Sequence, residues 1–346
     1  MFAFVFRMPV TLSQRLLAVL QFTRLALVFT AISNAWAALM LRADAQSPGD
    51  FAASFDPKQL AAMTLASIGL YGFGMSLNDV IDHRRDATIS ADSPLPSGRL
   101  PLGVARAICL LLLALGLAGG VWLASMQADP RVGRLTLLLT LGVATLIAFY
   151  DLAGKYLISL GLLTLGLIRF FHASIADPSL SSPWHVLVML DHVTILSTLA
   201  YAWEQKRPVL TRRHFVFVLG GLFAINGGLI AALILRRGDR PGGWRAAIDI
   251  GPHLLWPAAA VVGFFVVVAI IRARHRDSRG AGKVLMLFGL LYLIVYDAAF
   301  VAGEVGLLPA TVLLALLPIA WASVKLMRAW STLVTLSEKP RYVPAD

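Results

Sequence analysis

The chain has 346 residues, of which 58% are hydrophobic and only 14% are charged. Soluble domains carry about 25% charged residues, so the composition excludes an ordinary soluble protein and indicates an α-helical membrane protein with short loops. The net charge of +11 suits Lys- and Arg-rich loops on one side of a membrane and does not indicate a nucleic-acid partner.

Ten apolar stretches approach or exceed the ~20 residues that a membrane-spanning helix needs. We therefore predict an all-α, polytopic bundle of about nine to ten transmembrane helices. The predicted spans are 22–41, 61–81, 102–125, 134–150, 157–176, 184–203, 214–235, 253–272, 284–303 and 309–329. The last two could instead be one helix and a re-entrant piece, because Asp297 and Glu304 interrupt that region.

We predict a single transmembrane domain over residues 22–330, with a short segment on either side. Residues 1–21 carry Arg7 and Arg15 among apolar positions, which is typical of an amphipathic helix at the membrane surface. Residues 331–346 form a predicted cytoplasmic tail.

The distribution of Lys and Arg among the loops predicts the orientation of the chain. One set of alternate loops (82–101, 151–156, 204–213 and 273–283) holds twelve of these residues, and the opposite set holds seven. The richer set is expected to face the cytoplasm. The chain is thus predicted to be a multi-pass protein of the inner, cytoplasmic membrane.

An acidic segment ends the second predicted span. Asn78, Asp82 and Asp86 fall at i, i+4 and i+8, so a helix places them on one face, with Asp79 close beside them. Carboxylates at a membrane boundary need a cation, and hard oxygen ligands suit Mg²⁺, which usually accompanies a phosphate-bearing substrate. The segment therefore predicts a diphosphate site that faces the cytoplasm.

A proline- and glycine-containing loop follows the acidic segment, with the sequence Ser93-Pro94-Leu95-Pro96-Ser97-Gly98-Arg99. These residues favour a tight turn from which Arg99 can point back towards an anion. The alternative is an ordinary turn with a membrane-flanking arginine.

Together, the acidic segment and its loop resemble the UbiA superfamily of intramembrane prenyltransferases. Asn78-Asp79-x-x-Asp82-x-x-x-Asp86 is similar to the first aspartate-rich motif of that superfamily. The loop resembles its Arg-Pro-Leu-Pro-Ser-Gly-Arg stretch, with Ser93 in place of the first arginine.

Two further stretches are similar to elements of the same superfamily. Tyr150-Asp151-Leu152-Ala153-Gly154-Lys155 resembles its Tyr-Asp-x-x-x-Lys element. Arg24 and Asn34 fit its first helix, where an arginine and a polar residue face the cavity. The resemblance covers roughly residues 20–330.

The resemblance implies a helical bundle around a central cavity, in which Mg²⁺ and a polyprenyl diphosphate bind and a lipophilic acceptor attacks the allylic cation. Asn78, Asp82 and Asp86 are then the predicted metal ligands, and Lys155 and Arg99 are candidates to clamp the phosphates. Asp79, Tyr150 and Asp151 are further predicted substrate-binding residues. Membrane lipids are the remaining expected partner.

Arg169 and His172 lie at i, i+3 within one apolar span and share a face. Arg169 could reach the diphosphate or an acceptor carboxylate, and His172 could act as a general base. Alternatively, the pair reaches the outer interface near Asp177. Asp191 and His192 could form another polar pair, and Asp297 is a further cavity candidate.

The chain departs from the superfamily where a second aspartate motif is expected. Residues 201–208 contain one carboxylate, Glu204, followed by Lys206 and Arg207. Glu204 could support one Mg²⁺ with water at the other positions, or Lys206 or Arg207 could pair with diphosphate. The third possibility is a protein that has lost transferase activity.

These observations leave three functional hypotheses. The first is Mg²⁺-dependent transfer of a prenyl group from a polyprenyl diphosphate to a lipophilic, aromatic acceptor. The second is a non-catalytic or repurposed relative that binds or exports a lipophilic metabolite. The third is an ion-coupled transporter that uses the carboxylates as a cation pathway.

Overall fold

The computed structural model describes residues 12–50, 55–89, 93–239 and 243–338. All regular elements within these ranges are helical, as predicted, and nine helical segments there are long and apolar enough to cross a membrane. The helices are α1 (Leu12–Thr23), α2 (Phe29–Gln46), α3 (Pro57–Ile89), α4 (Leu102–Ser125), α5 (Pro130–Leu152), α6 (Ile158–Ala176), α7 (Pro183–Trp203), α8 (Arg212–Arg237), α9 (Gly243–Ala247), α10 (Leu255–Arg274), α11 (Ser278–Glu304), α12 (Leu307–Leu314) and α13 (Leu316–Glu338).

The first predicted span, 22–41, is divided in the structure. Arg24 has φ of 47°, which is outside the helical region, and a 3₁₀ turn at Leu25–Leu27 follows it. The chain therefore forms α1 and α2 where hydropathy predicts one helix. Most of the predicted surface segment, residues 1–11, lies outside the described residues.

The C-terminal region also differs from its predicted bounds. The last predicted span, 309–329, is divided at Ala315 into α12 and α13. Helix α13 continues to Glu338, into the predicted tail. Residues 339–346 lie outside the described part of the chain.

Helix α3 is 33 residues long, which corresponds to about 50 Å at 1.5 Å per residue. Because a bilayer core is about 30 Å thick, its last third, which carries the acidic segment, reaches the end of the bundle. We call this end, formed by the C-terminal part of α3, the loop 93–101 and the turn after α5, the motif end.

Helices α3 and α4 pack backbone to backbone through small residues. A Cβ atom at Gly69 would lie 2.1 Å from the backbone nitrogen of Gly116, and one at Gly119 would lie 2.4 Å from that of Ala66. The loop 93–101 therefore connects two helices that are packed tightly against each other.

The centre of the bundle and its periphery differ in burial. In α8, only Val218, Leu222 and Leu233 are buried, while apolar side chains such as Phe223 point outwards. Helices α6, α7 and α11, in contrast, bury most of their length. An apolar outer surface around a buried polar interior is the arrangement expected of a membrane protein.

Candidate functional site

A largely buried lysine binds the acidic face of α3. Lys155 lies in the 3₁₀ turn Gly154–Tyr156 after α5, and its Nζ lies 2.8 Å from Asp82 Oδ2 and 3.1 Å from Asn78 Oδ1. Asp151 Oδ1 is 3.9 Å from the same ammonium. The i, i+4 spacing thus brings Asn78 and Asp82 onto one cation, as the helical face predicts.

A second cation contacts this face from the break between α1 and α2. Arg24 Nη2 lies 3.1 Å from Asp79 Oδ1, and the amide of Asn78 lies 3.5 Å from the same oxygen. The left-handed backbone at Arg24 therefore places a predicted substrate-binding residue against the acidic segment. Tyr150 is half-buried in the last turn of α5, next to the fully buried Asp151.

The loop after α3 forms a tight turn. The backbone N–H of Gly98 donates to the carbonyl of Leu95 at 3.0 Å, and Gly98 has φ of 74°, a conformation that glycine adopts without strain. Arg99 donates to Ser97 Oγ at 3.0 Å and to Gln21 Oε1 of α1 at 3.4 Å. The amide of Gln21 in turn donates to Ser331 Oγ of α13 at 3.2 Å.

The oxygen atoms at the motif end fit a divalent cation of the Mg²⁺ type. Carboxylate and amide oxygens converge from one helix face on the ammonium of Lys155, and the same oxygens could ligate such an ion. Asp86 lies one turn further along this face. Since Mg²⁺ commonly retains several waters, two or three protein oxygens are sufficient ligands.

Glu204 and Arg207 do not contact this cluster. Glu204 is the C-cap residue of α7, and its Oε2 lies 3.2 Å from Nζ of Lys206. Arg207 is exposed. The carboxylate that stands in place of a second aspartate motif is therefore paired with a neighbouring lysine.

A second polar cluster lies deeper in the bundle, and it contains four residues that the sequence marks as candidates. Arg169 donates to Thr30 Oγ1 at 3.0 Å, and His172 Nε2 lies 3.2 Å from Ser67 Oγ. Asn34 donates to Asp297 Oδ1 at 3.3 Å. Along α3, Ser67 precedes Asn78 by eleven residues, which is about 16 Å, so the two clusters occupy different depths.

Sequence reasoning missed His185, which belongs to the deeper cluster. His185 Nε2 lies 2.8 Å from Asp297 Oδ1, and both side chains are almost completely buried. Asp297 Oδ2 and Asn34 Oδ1 have no hydrogen-bond partner. The available signal was a histidine near the start of an apolar span, but nothing in the local sequence connects it with Asp297.

Asp191 and His192 do not form the predicted pair. Asp191 Oδ1 accepts a hydrogen bond from Asn226 of α8 at 2.8 Å, while His192 Nε2 lies 2.8 Å from the carbonyl oxygen of Gly289 in α11. Adjacent positions on a helix point about 100° apart, which explains their different partners.

A third group, also missed from the sequence, lies at the opposite end of the bundle. Ligand atoms of Asp249, His253 and Glu304 lie within 4.8 Å of one another. Glu304 Oε1 also accepts a hydrogen bond from Ser182 at 2.7 Å.

One comparison with known proteins identifies a family. A model of the UbiA prenyltransferase family matches residues 49–208, which include the acidic segment, the loop, Tyr150–Lys155 and Glu204. A comparison with curated proteins found no match.

Two solved structures share the fold. One, described as digeranylgeranylglyceryl phosphate synthase, is 16% identical, covers 84% of this chain and 99% of its own, and has a TM-score of 0.55. The other, a UbiA homologue from Aeropyrum pernix K1, is 18% identical, covers 80% and 97%, and has a TM-score of 0.52.

Proposed function

Since this chain belongs to the UbiA superfamily, we propose that it is a Mg²⁺-dependent prenyltransferase of the cytoplasmic membrane. The donor is a polyprenyl diphosphate, and the acceptor is a lipophilic compound, with aromatic acids and phenols as the first candidates. The motif end faces the cytoplasm, where soluble diphosphates and Mg²⁺ are available.

The observation that carries this proposal is the convergence of Asn78, Asp82 and Asp151 on the ammonium of Lys155. In a metal–diphosphate complex, the oxygen atoms would bind the metal ion and the lysine would bind the diphosphate. Bound Mg²⁺ supplies electrostatic stabilisation for the charge that develops on the leaving diphosphate. Arg24 lies beside the same carboxylates and adds a second fixed positive charge.

The reaction breaks the allylic C–O bond of the donor. The diphosphate leaves with the electron pair, the acceptor nucleophile forms the new bond to carbon, and the acceptor then loses a proton. Lys155 donates hydrogen bonds to the departing phosphate oxygens, and the apolar interior excludes water that would capture the cation. Arg169 and His172, which lie deeper, are the proposed contacts for the acceptor.

A direct test measures diphosphate release by the purified protein. Geranyl, farnesyl and geranylgeranyl diphosphates are each supplied with Mg²⁺ and a panel of phenols and aromatic acids. Removing the carboxylate by Asp82→Ala is expected to lower the rate by roughly 100-fold or more, and chelation of Mg²⁺ is expected to abolish it.

The matched control is Asp239→Ala, which removes an exposed carboxylate that follows α8. It is expected to leave diphosphate release unchanged. If neither the donor binds nor diphosphate is released with any acceptor, the transferase proposal fails.

A second candidate is a repurposed relative that binds or exports a lipophilic metabolite. The ion pair between Glu204 and Lys206 favours it, because the carboxylate expected to support metal has another partner. Glu204→Gln separates the two functions. If the unmodified protein turns over and the variant does not, transfer is supported. If the unmodified protein binds lipid without any turnover, the alternative is supported.

A further inference from the structure

The ammonium of Lys155 occupies the position that a metal ion needs. Its Nζ lies 2.8 Å from Asp82 Oδ2 and 3.1 Å from Asn78 Oδ1. These are the oxygens that converge from the acidic face of α3. A divalent cation on the same oxygens would lie within a few ångströms of the lysine charge, and such a contact is strongly repulsive.

The pairing of Lys155 is protected from solvent. The side chains of Lys155, Asp82 and Asp151 are 10%, 13% and 2% exposed. In this environment an ammonium without a partner is costly, because it is removed from water. Lys155 therefore cannot leave the carboxylates unless other oxygen atoms receive it.

Arg24 differs from Lys155 in this respect. It pairs with Asp79 at 3.1 Å, but its side chain is 51% exposed, so water can solvate the guanidinium when the pair opens. Lys155 is therefore the cation that occupies the predicted metal ligands and does not readily leave them.

We propose that Lys155 competes with the divalent metal for Asn78 and Asp82, so that the metal binds tightly only after a diphosphate has accepted the ammonium. The first half of this inference is independent of the proposed function. The second half rests on it and makes the binding of metal and diphosphate cooperative. A coupling of this kind is reciprocal and typically amounts to about 5- to 150-fold in affinity.

The test measures Mn²⁺ binding in the absence of any phosphate. Mn²⁺ prefers the same carboxylate, carbonyl and water ligands as Mg²⁺, and its free concentration is measured by electron paramagnetic resonance. Lys155→Met removes the competing charge and is expected to bind Mn²⁺ roughly tenfold or more tightly than the unmodified protein. Lys155→Gln, whose amide can still donate to Asp82, is expected to shift affinity in the same direction.

Lys283→Met is the matched control, because Lys283 is exposed at the start of α11. It removes the same charge without changing the cluster and is expected to bind Mn²⁺ like the unmodified protein. Size-exclusion profiles establish which variants are folded, and the glutamine variant decides the matter if the methionine variant is not.

Equal or weaker Mn²⁺ binding by folded Lys155 variants would overturn the inference. An effect of the same size in Lys283→Met would do so as well, because it would reflect net charge alone. Neither result depends on turnover. Mn²⁺ binding therefore tests this inference, and diphosphate release tests prenyl transfer, so the two failures can be distinguished.

Discussion

His185 and Asp297 are 112 residues apart in the chain, yet they form the most deeply buried histidine–carboxylate contact among the described residues. Asn34 donates to the same Asp297 oxygen. Removing one partner of a buried hydrogen bond leaves the other unsatisfied, which costs about 1–3 kcal/mol. The three residues therefore fix the relative positions of α2, α7 and α11.

Substitution of Asp297 is expected to destabilise the protein. Asp297→Ala leaves His185 and Asn34 without their shared acceptor and should lower the free energy of unfolding by about 3 kcal/mol. Asp297→Asn keeps an acceptor oxygen at the same place and should cost about half as much. Denaturant titration in detergent measures both values, and equal losses would contradict the assigned role of the carboxylate.

The sequence could predict individual polar residues but not their partners. Asn78 and Asp82 share a face because helical periodicity is local, and the structure confirms that spacing. Lys155 lies 73 residues from Asp82, and its contact depends on how α5 packs against α3. Family resemblance directed attention to Lys155, whereas no such signal existed for His185.

At the scale of elements, α3 and α4 approach each other so closely that a side chain has no room at their contact. The backbone of Gly116 occupies the space that a side chain at Gly69 would fill. Because van der Waals packing drives helix association in lipid, this contact requires glycine at both positions.

Gly69→Ala is expected to separate the two helices and lower the free energy of unfolding by about 1–3 kcal/mol. The matched control is Gly142→Ala in α5, where nothing lies within 4 Å of an added Cβ. That change should be neutral or stabilising by about 0.5–1 kcal/mol, because alanine favours the helix. Equal effects in a denaturant titration would show that helix propensity, and not packing, dominates.

Hydropathy predicted most helices well, since the bilayer length is visible in the sequence. Helix α4 has the predicted bounds, and α6 and α7 differ from theirs by one residue. The division at Arg24 was not predictable, because its left-handed backbone accompanies an ion pair with Asp79 in another helix.

At the scale of the molecule, polar side chains lie at three depths of an apolar bundle. The motif end holds the Lys155 cluster, the interior holds the Asp297 cluster, and the opposite end holds Asp249, His253 and Glu304. Such groups are costly to place in a membrane, and those that are present commonly mark functional sites. The boundary position of the acidic segment could be predicted, because the segment ends an apolar stretch. The partners of the other two groups could not, because they follow from the packing of helices that are distant in the chain.

The proposed orientation predicts which end a membrane-impermeant reagent reaches. In a Cys109→Ala background, Ser47→Cys places a thiol at the exposed end of α2, and Thr88→Cys places one at the exposed motif end. In intact cells a charged maleimide is expected to label the first variant only. It should label the second after permeabilisation, and the reverse pattern would invert the orientation.

Gln21 connects the loop after α3 with the last helix, because its one amide group contacts both Arg99 and Ser331. Arg99 follows Gln21 by 78 residues in the chain, whereas Ser331 follows it by 310. During synthesis, a ribosome releases the acidic segment and its loop long before α13 exists. The contact at Ser331 can therefore form only after α13 has been synthesised, and a chain that terminates before α13 carries the acidic segment without this contact.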